Sequence, residues 1–173
     1  MVAALALTAG LATGAWAAFG RGGHPFDDPR ACHGSEAALD PALSYVAVPR
    51  PENATDLHYI SHLSARTDNG LLLAASFKST AADLEEFLRS QKLLSGSSDH
   101  LGDGRFTLGD GPDPADLHLC GGASAIRAPG VEFGLFKTAP AAGREYIDVN
   151  AQLDGDRLRR TTEVLLTIRS QPR

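Results

Sequence analysis

The chain has 173 residues, room for one domain of ordinary size with flanking segments. A formal net charge of −5 argues against a nucleic-acid surface, which needs a basic footprint. Aromatic residues are only 6% of the chain and alanine supplies much of the hydrophobic content, so a small, light core is expected.

Val2 to Gly20 carries no charged side chain and is followed by Arg21. As a helix, about 19 such residues span about 28 Å, close to a hydrocarbon core. Two readings stay open. In one, Ala15-Trp16-Ala17 is the A-x-A site of a signal peptide cleaved before Ala18. In the other, the run is an uncleaved single-pass anchor with Trp16 and Phe19 at the interface. A buried soluble helix fits less well, because the run has no polar face. No basic side chain precedes it, so a basic segment is expected upstream, with the true start before Met1. Either membrane reading makes residues 1–20 the bilayer contact and sends residues 21–173 outside the cytoplasm.

Residues 21–42 read as a Gly/Pro-rich linker and 43–173 as an extracytoplasmic domain. Within these, Ser35 to Ala42 suggests a short helix and Leu43 to Val48 a short edge strand. Asn53-Ala54-Thr55 matches the glycosylation acceptor, a pattern common by chance.

The strongest periodicity runs from Leu57 to Leu94. Leu57, Tyr59 and Leu63 alternate with His58, Ile60 and His62, the period of a half-buried strand. Asp68-Asn69-Gly70 marks a turn. Leu71, Leu73, Ala75 and Phe77 then share one face while Leu72 and Ala74 occupy the other, which suggests a central strand. Ser79 and Thr80 are candidate N-caps, with Asp83 three residues after Thr80. Ala81, Leu84, Phe87, Leu88 and Gln91 recur at helical spacing, leaving Asp83, Glu85, Glu86 and Arg89 to water.

Residues 95–129 are rich in Gly and Pro, a loop long enough to be either mobile or functional. Leu117, Leu119 and Cys120 mark the chain's return to the core. Val131, Phe133 and Leu135 alternate as a strand, as do Glu145, Ile147, Val149, Ala151 and Leu153. Asp154-Gly155-Asp156 supplies a hairpin turn. A last strand puts Leu158, Val164, Leu166 and Ile168 on one side and Arg157, Arg159, Glu163, Thr167 and Arg169 on the other. The fold class expected is α+β: a mainly antiparallel sheet packed on one principal amphipathic helix, preceded by an N-terminal apolar helix.

Cys32 and Cys120 flank the central stretch. An even pair in an oxidising compartment predicts one disulfide enclosing the strand–strand–helix unit. Cys32-His33 with His118-Leu119-Cys120 also offers two thiols and two imidazoles, but lacks zinc-site spacing. His58 and His62, about 13 Å apart on a strand, are too distant to share an ion. Asp99, Asp103, Gly104 and Asp110 fit four positions of a calcium loop, whose third ligand position holds Leu101. Nucleophile-elbow, phosphate-loop and dinucleotide signatures are missing. Arg157, Arg159 and Arg160 read as a solvated hairpin end, with anionic lipid or polymer contact as the sharper version.

The Pro-rich lead-in, Asp56-Leu57-His58-Tyr59, Leu71-Leu72-Leu73-Ala74-Ala75-Ser76-Phe77 and the capped helix with Phe87-Leu88 resemble small extracytoplasmic actinobacterial proteins of unknown function carrying anchors or signal sequences. The resemblance covers residues 1–95 and brings no catalytic residue with it. The expectation is therefore a membrane-tethered or secreted, non-enzymatic envelope domain that binds a partner, with no cofactor and no nucleic acid. The alternative is an envelope hydrolase or metal-dependent enzyme whose 95–129 loop uses His100, Asp103 and His118. A third expectation makes the chain an assembly subunit, with the C-terminal hairpin as an exposed edge for strand addition.

Overall fold

A computed structural model describes residues 23–63, 70–94, 105–107, 111–155 and 157–170, the side chains of 105–107 excepted. Its elements are α1 (Leu39–Tyr45), β1 (Thr55–Ser61), β2 (Leu71–Thr80), α2 (Ala81–Ser90), β3 (Arg105–Thr107), β4 (Gly130–Ala139), β5 (Gly143–Asp154), β6 (Arg157–Leu158) and β7 (Thr161–Ser170). Every strand pairing is antiparallel, in the order β1-β2-β7-β5-β4-β3, with β6 hydrogen-bonded to the end of β5. The chain is thus α+β, with a mainly antiparallel sheet. Among the described residues no helix is long and apolar enough to cross a membrane. Val2 to Gly20 lies outside them.

Alternation sets the main core. Leu73, Ala75 and Phe77 of β2, Val164, Leu166 and Ile168 of β7, and Ile147, Val149, Ala151 and Leu153 of β5 share one face. Two helices contribute to the same cluster. From α2 come Leu84, Phe87 and Leu88; from α1 come Leu39, Ala42 and Leu43, with Val46 just beyond. Thr80 caps α2 as its position predicts: its Oγ1 accepts from the Asp83 N–H at 3.2 Å and donates to Asp83 Oδ2 at 2.6 Å. Arg89 reaches back to Glu85 at 3.2 Å on the solvent side.

Three expectations need correction. The edge strand expected at Leu43–Val48 is the end of α1 and the turn after it. Leu39, Ala42, Leu43 and Val46 fall at i, i+3, i+4 and i+7, so helical spacing, not alternation, buries them. The span expected as a linker packs on the sheet from Ala31 onward, with Ala31, Cys32, Ala37, Leu39 and Ala42 all buried. The C-terminal hairpin is no free edge, because β7 lies between β2 and β5. The outer edge of β1 is covered instead: Tyr59 N donates to Arg30 O (2.9 Å), Cys32 N to Tyr59 O (2.8 Å) and Glu36 N to Ser61 O (2.8 Å).

The second face of the sheet bears no helix among the described residues. A smaller apolar cluster of Ile60, Leu71, Ala74 and Leu165 is roofed by Leu117 and Ile126 from the Gly-rich segment, beside Cys32.

Candidate functional site

Cys32 and Cys120 form the expected disulfide, with 5.4 Å between their Cα atoms. It ties the segment covering the β1 edge to the segment crossing the second face. Immediately after Cys120 the chain takes two left-handed residues, Gly121 (φ +77°) and Gly122 (φ +67°). Glycine is required at the first of these for a second reason: a Cβ there would lie 2.2 Å from the His58 ring. His58 is held between the glycine and the disulfide, its Nδ1 3.8 Å from Cys120 Sγ.

The loop and the sheet enclose a groove of 310 Å³. Its wall is Gly121 to Ser124, and its floor comes from β1, β2 and β7. Antiparallel register explains why these residues meet. His58 is opposite Ser76, and Lys78 is opposite Glu163, so the polar side chains of three strands form adjacent rows on one face. Asp56, near the irregularity in β1, joins the outer row with its carboxylate 2.8 Å from Lys78 Nζ. That hydrogen bond holds the Asp56 carboxyl below, and the Lys78 ammonium above, their ordinary values.

The inner row is unsatisfied. Ser76 is 8% exposed, and its Oγ has no hydrogen-bond partner among the described residues. Such a buried hydroxyl costs free energy unless something binds it. The backbone N–H groups of Gly121, Gly122, Ala123 and Ser124 likewise donate to nothing among the described residues, and the Glu163 carboxylate has no hydrogen bond or ion pair there.

A second polar strip crosses the same face on β5, where Asp148, Asn150 and Gln152 alternate with the core residues and are themselves buried. Gln152 is structural. It accepts from Arg127 N (2.9 Å) and donates to Arg127 O (2.7 Å) and Pro129 O (2.8 Å), clamping the loop to the sheet. Asp148 takes one bond from Asn150 Nδ2 (3.0 Å) on Oδ2, while Oδ1 has none among the described residues. Burial, reinforced by the nearby Glu132, pushes its carboxyl up to about 6.

The residues proposed from sequence for zinc, calcium or catalysis are not assembled. Both sulfurs are consumed by the disulfide, while His33 and His118 are exposed. His100, Asp103 and all four positions matched to a calcium loop lie outside the described residues. His62 lies next to Glu36 (4.0 Å) and His58 next to Cys120, so the two histidines serve different neighbours. No group of three His, Cys, Asp or Glu side chains that could hold a metal occurs among the described residues. Sequence reasoning missed Ser76, Lys78 and Glu163 as a set. Each sits at an outward position of its strand, but only the order β1-β2-β7 brings them together. No family model, curated protein or solved structure matches this chain.

Proposed function

We propose that the protein is a membrane-tethered or secreted, non-enzymatic domain of the cell envelope that binds a partner in the groove beside its disulfide. The observation that carries this reading is the Ser76 hydroxyl, without a partner among the described residues, under a loop that the Cys32–Cys120 bond pins and whose Gly121–Ser124 N–H groups are likewise unused there. Donors fixed in place before a ligand arrives are what a recognition site requires. Placement outside the cytoplasm rests on the disulfide together with the uncharged run Val2 to Gly20. Binding is favoured over nucleophilic catalysis because Ser76 Oγ bonds no imidazole and the sulfur beside His58 is oxidised.

The test is a photoreactive residue placed in the full chain either at Ala123, on the groove wall, or at Arg89, on the solvent side of α2. Irradiation of cells should give an adduct in the envelope or secreted fraction from position 123 and none from 89. Equal labelling from both positions, or a cytosolic protein with two free thiols, overturns the reading.

A further inference from the structure

We propose that the groove takes a small primary ammonium with a hydrogen-bond acceptor oxygen three bonds away, the chemistry of an amino acid or of a peptide's amino terminus. This inference rests on the groove being the binding site, and adds the class of ligand. The argument starts from charge. Asp56, Lys78 and Glu163 line the groove, a row of carboxylate, ammonium and carboxylate across three strands. Lys78 is hydrogen-bonded to Asp56 at 2.8 Å and also feels the charge of Glu163 opposite it, so two carboxylates share one ammonium. The surplus negative charge falls on Glu163, which has no hydrogen bond or ion pair of its own among the described residues. An anion entering here meets that surplus. A neutral polyol leaves it uncompensated. A monocation completes the row.

The opposite wall presents donors. Four consecutive backbone N–H groups, from Gly121 to Ser124, and the Ser76 hydroxyl at the base have no partner among the described residues. A bare alkylammonium, which has no acceptor, would leave them unused. An α-ammonium followed by a carbonyl or carboxylate offers both halves: N–H donors toward Glu163 and an oxygen toward the loop. Size sets the upper limit. At 310 Å³ the groove lies at the small end of ligand clefts, which run roughly from 300 to 1,000 Å³.

The experiment titrates the disulfide-bonded full chain, in detergent micelles, with glycylglycinamide and with its N-acetyl derivative, reading amide chemical shifts and heat. Glycylglycinamide should shift the amides of Gly121, Gly122 and Ala123, and acetylation should weaken binding at least tenfold. Glu163→Gln should lower the affinity for the free amine at least tenfold, and Ser76→Ala several-fold, with the disulfide and the shifts of α2 unchanged. Equal affinity for the acetylated probe, still mapped to the groove, overturns the ammonium assignment and leaves the groove intact as a site. Shifts that map elsewhere, or no binding by either probe, overturn the ligand class. If the Ala123 adduct fails as well, the groove falls with it.

Discussion

Glu145 is fully buried on the helix-covered side of the sheet, and neither of its carboxylate oxygens has a hydrogen-bond partner among the described residues. Lys137 stands directly opposite it in the β4–β5 register, yet the Lys137 ammonium donates to Ala47 O and, at 3.3 Å, to Gln91 Oε1. Desolvation therefore dominates, and the Glu145 carboxyl is raised from 4.5 to about 7. Because the folded state holds this proton more tightly, the resulting stabilisation is complete below the unfolded value. It is lost as pH rises through the folded one. Between pH 5 and pH 8 the loss is roughly 2 kcal/mol, at about 1.4 kcal/mol per pH unit within the window. Glu145→Gln stays neutral throughout and keeps the shape, so it should gain about that much on the wild type across this range. Asp148, raised in the same direction to about 6, is present in both proteins and cancels in the comparison. Urea unfolding of both at pH 5 and pH 8 decides: parallel profiles would mean Glu145 is not titrating. Alternation in Glu145, Ile147, Val149, Ala151 and Leu153 is legible in the sequence. That the glutamate lies at the inward end of that series, without a partner, is not, because the lysine opposite comes from another strand and is engaged elsewhere.

Among the elements, those defined by local chemistry are the ones a reader of the sequence finds. β1, β2 and α2 follow from alternation, a Thr80 cap and helical spacing within forty residues, and the fold contains all three. Two details of the alternation fail: Leu63 lies exposed past the end of β1, and the irregularity at the start of β2 puts Leu71 with Ala74 on the second face and Leu72 in the main core. α1 is misread because Leu43-Ser44-Tyr45 alternates over three residues, too short a window to separate a period of two from 3.6. The Gly121–Ser124 loop is the least legible, since its shape depends on a disulfide and on a histidine more than sixty positions away. Its two glycines separate two effects. Gly121→Ala meets both a left-handed φ and the His58 ring at 2.2 Å, while Gly122→Ala meets the φ alone. The second substitution should cost about 1 kcal/mol, typical of left-handed backbone. The first should cost at least about 1 kcal/mol more, as overpacking does, and should displace His58 from Cys120. Melting temperatures and the His58 ring shifts measure both; equal losses for the two variants would mean that His58 moves aside freely and does not brace the groove.

At the scale of the whole molecule, the disulfide joins two layers that the sheet alone would leave separate. Cys32 belongs to the segment that covers the edge of β1, and Cys120 to the loop across the second face. Their separation of 88 positions encloses α1, β1, β2, α2 and β3. In the chain-entropy model, closing a loop of this length restricts the unfolded chain by about 4 to 5 kcal/mol, which is a large share of the stability of an ordinary domain. The apolar cluster beneath the loop is small, chiefly Ile60, Leu71, Ala74, Leu117, Ile126 and Leu165, whereas the other face carries both helices. Replacing both cysteines by serine should therefore do two things. Global stability in urea should fall by about that loop-closure term. Local opening should also become uneven. The Tyr59 and Glu36 amides, which hold segment 30–36 to β1, should exchange faster than global unfolding accounts for, while the buried turn of α2 around Leu84 and Leu88 should exchange only with the global transition. Hydrogen exchange on the oxidised protein and the double variant makes the comparison directly. Uniform acceleration across both faces would mean that the bond acts only on the unfolded chain. Faster exchange confined to the β1 edge and the loop would show that it also holds the groove wall in place, the property on which the proposed recognition at Ser76 depends.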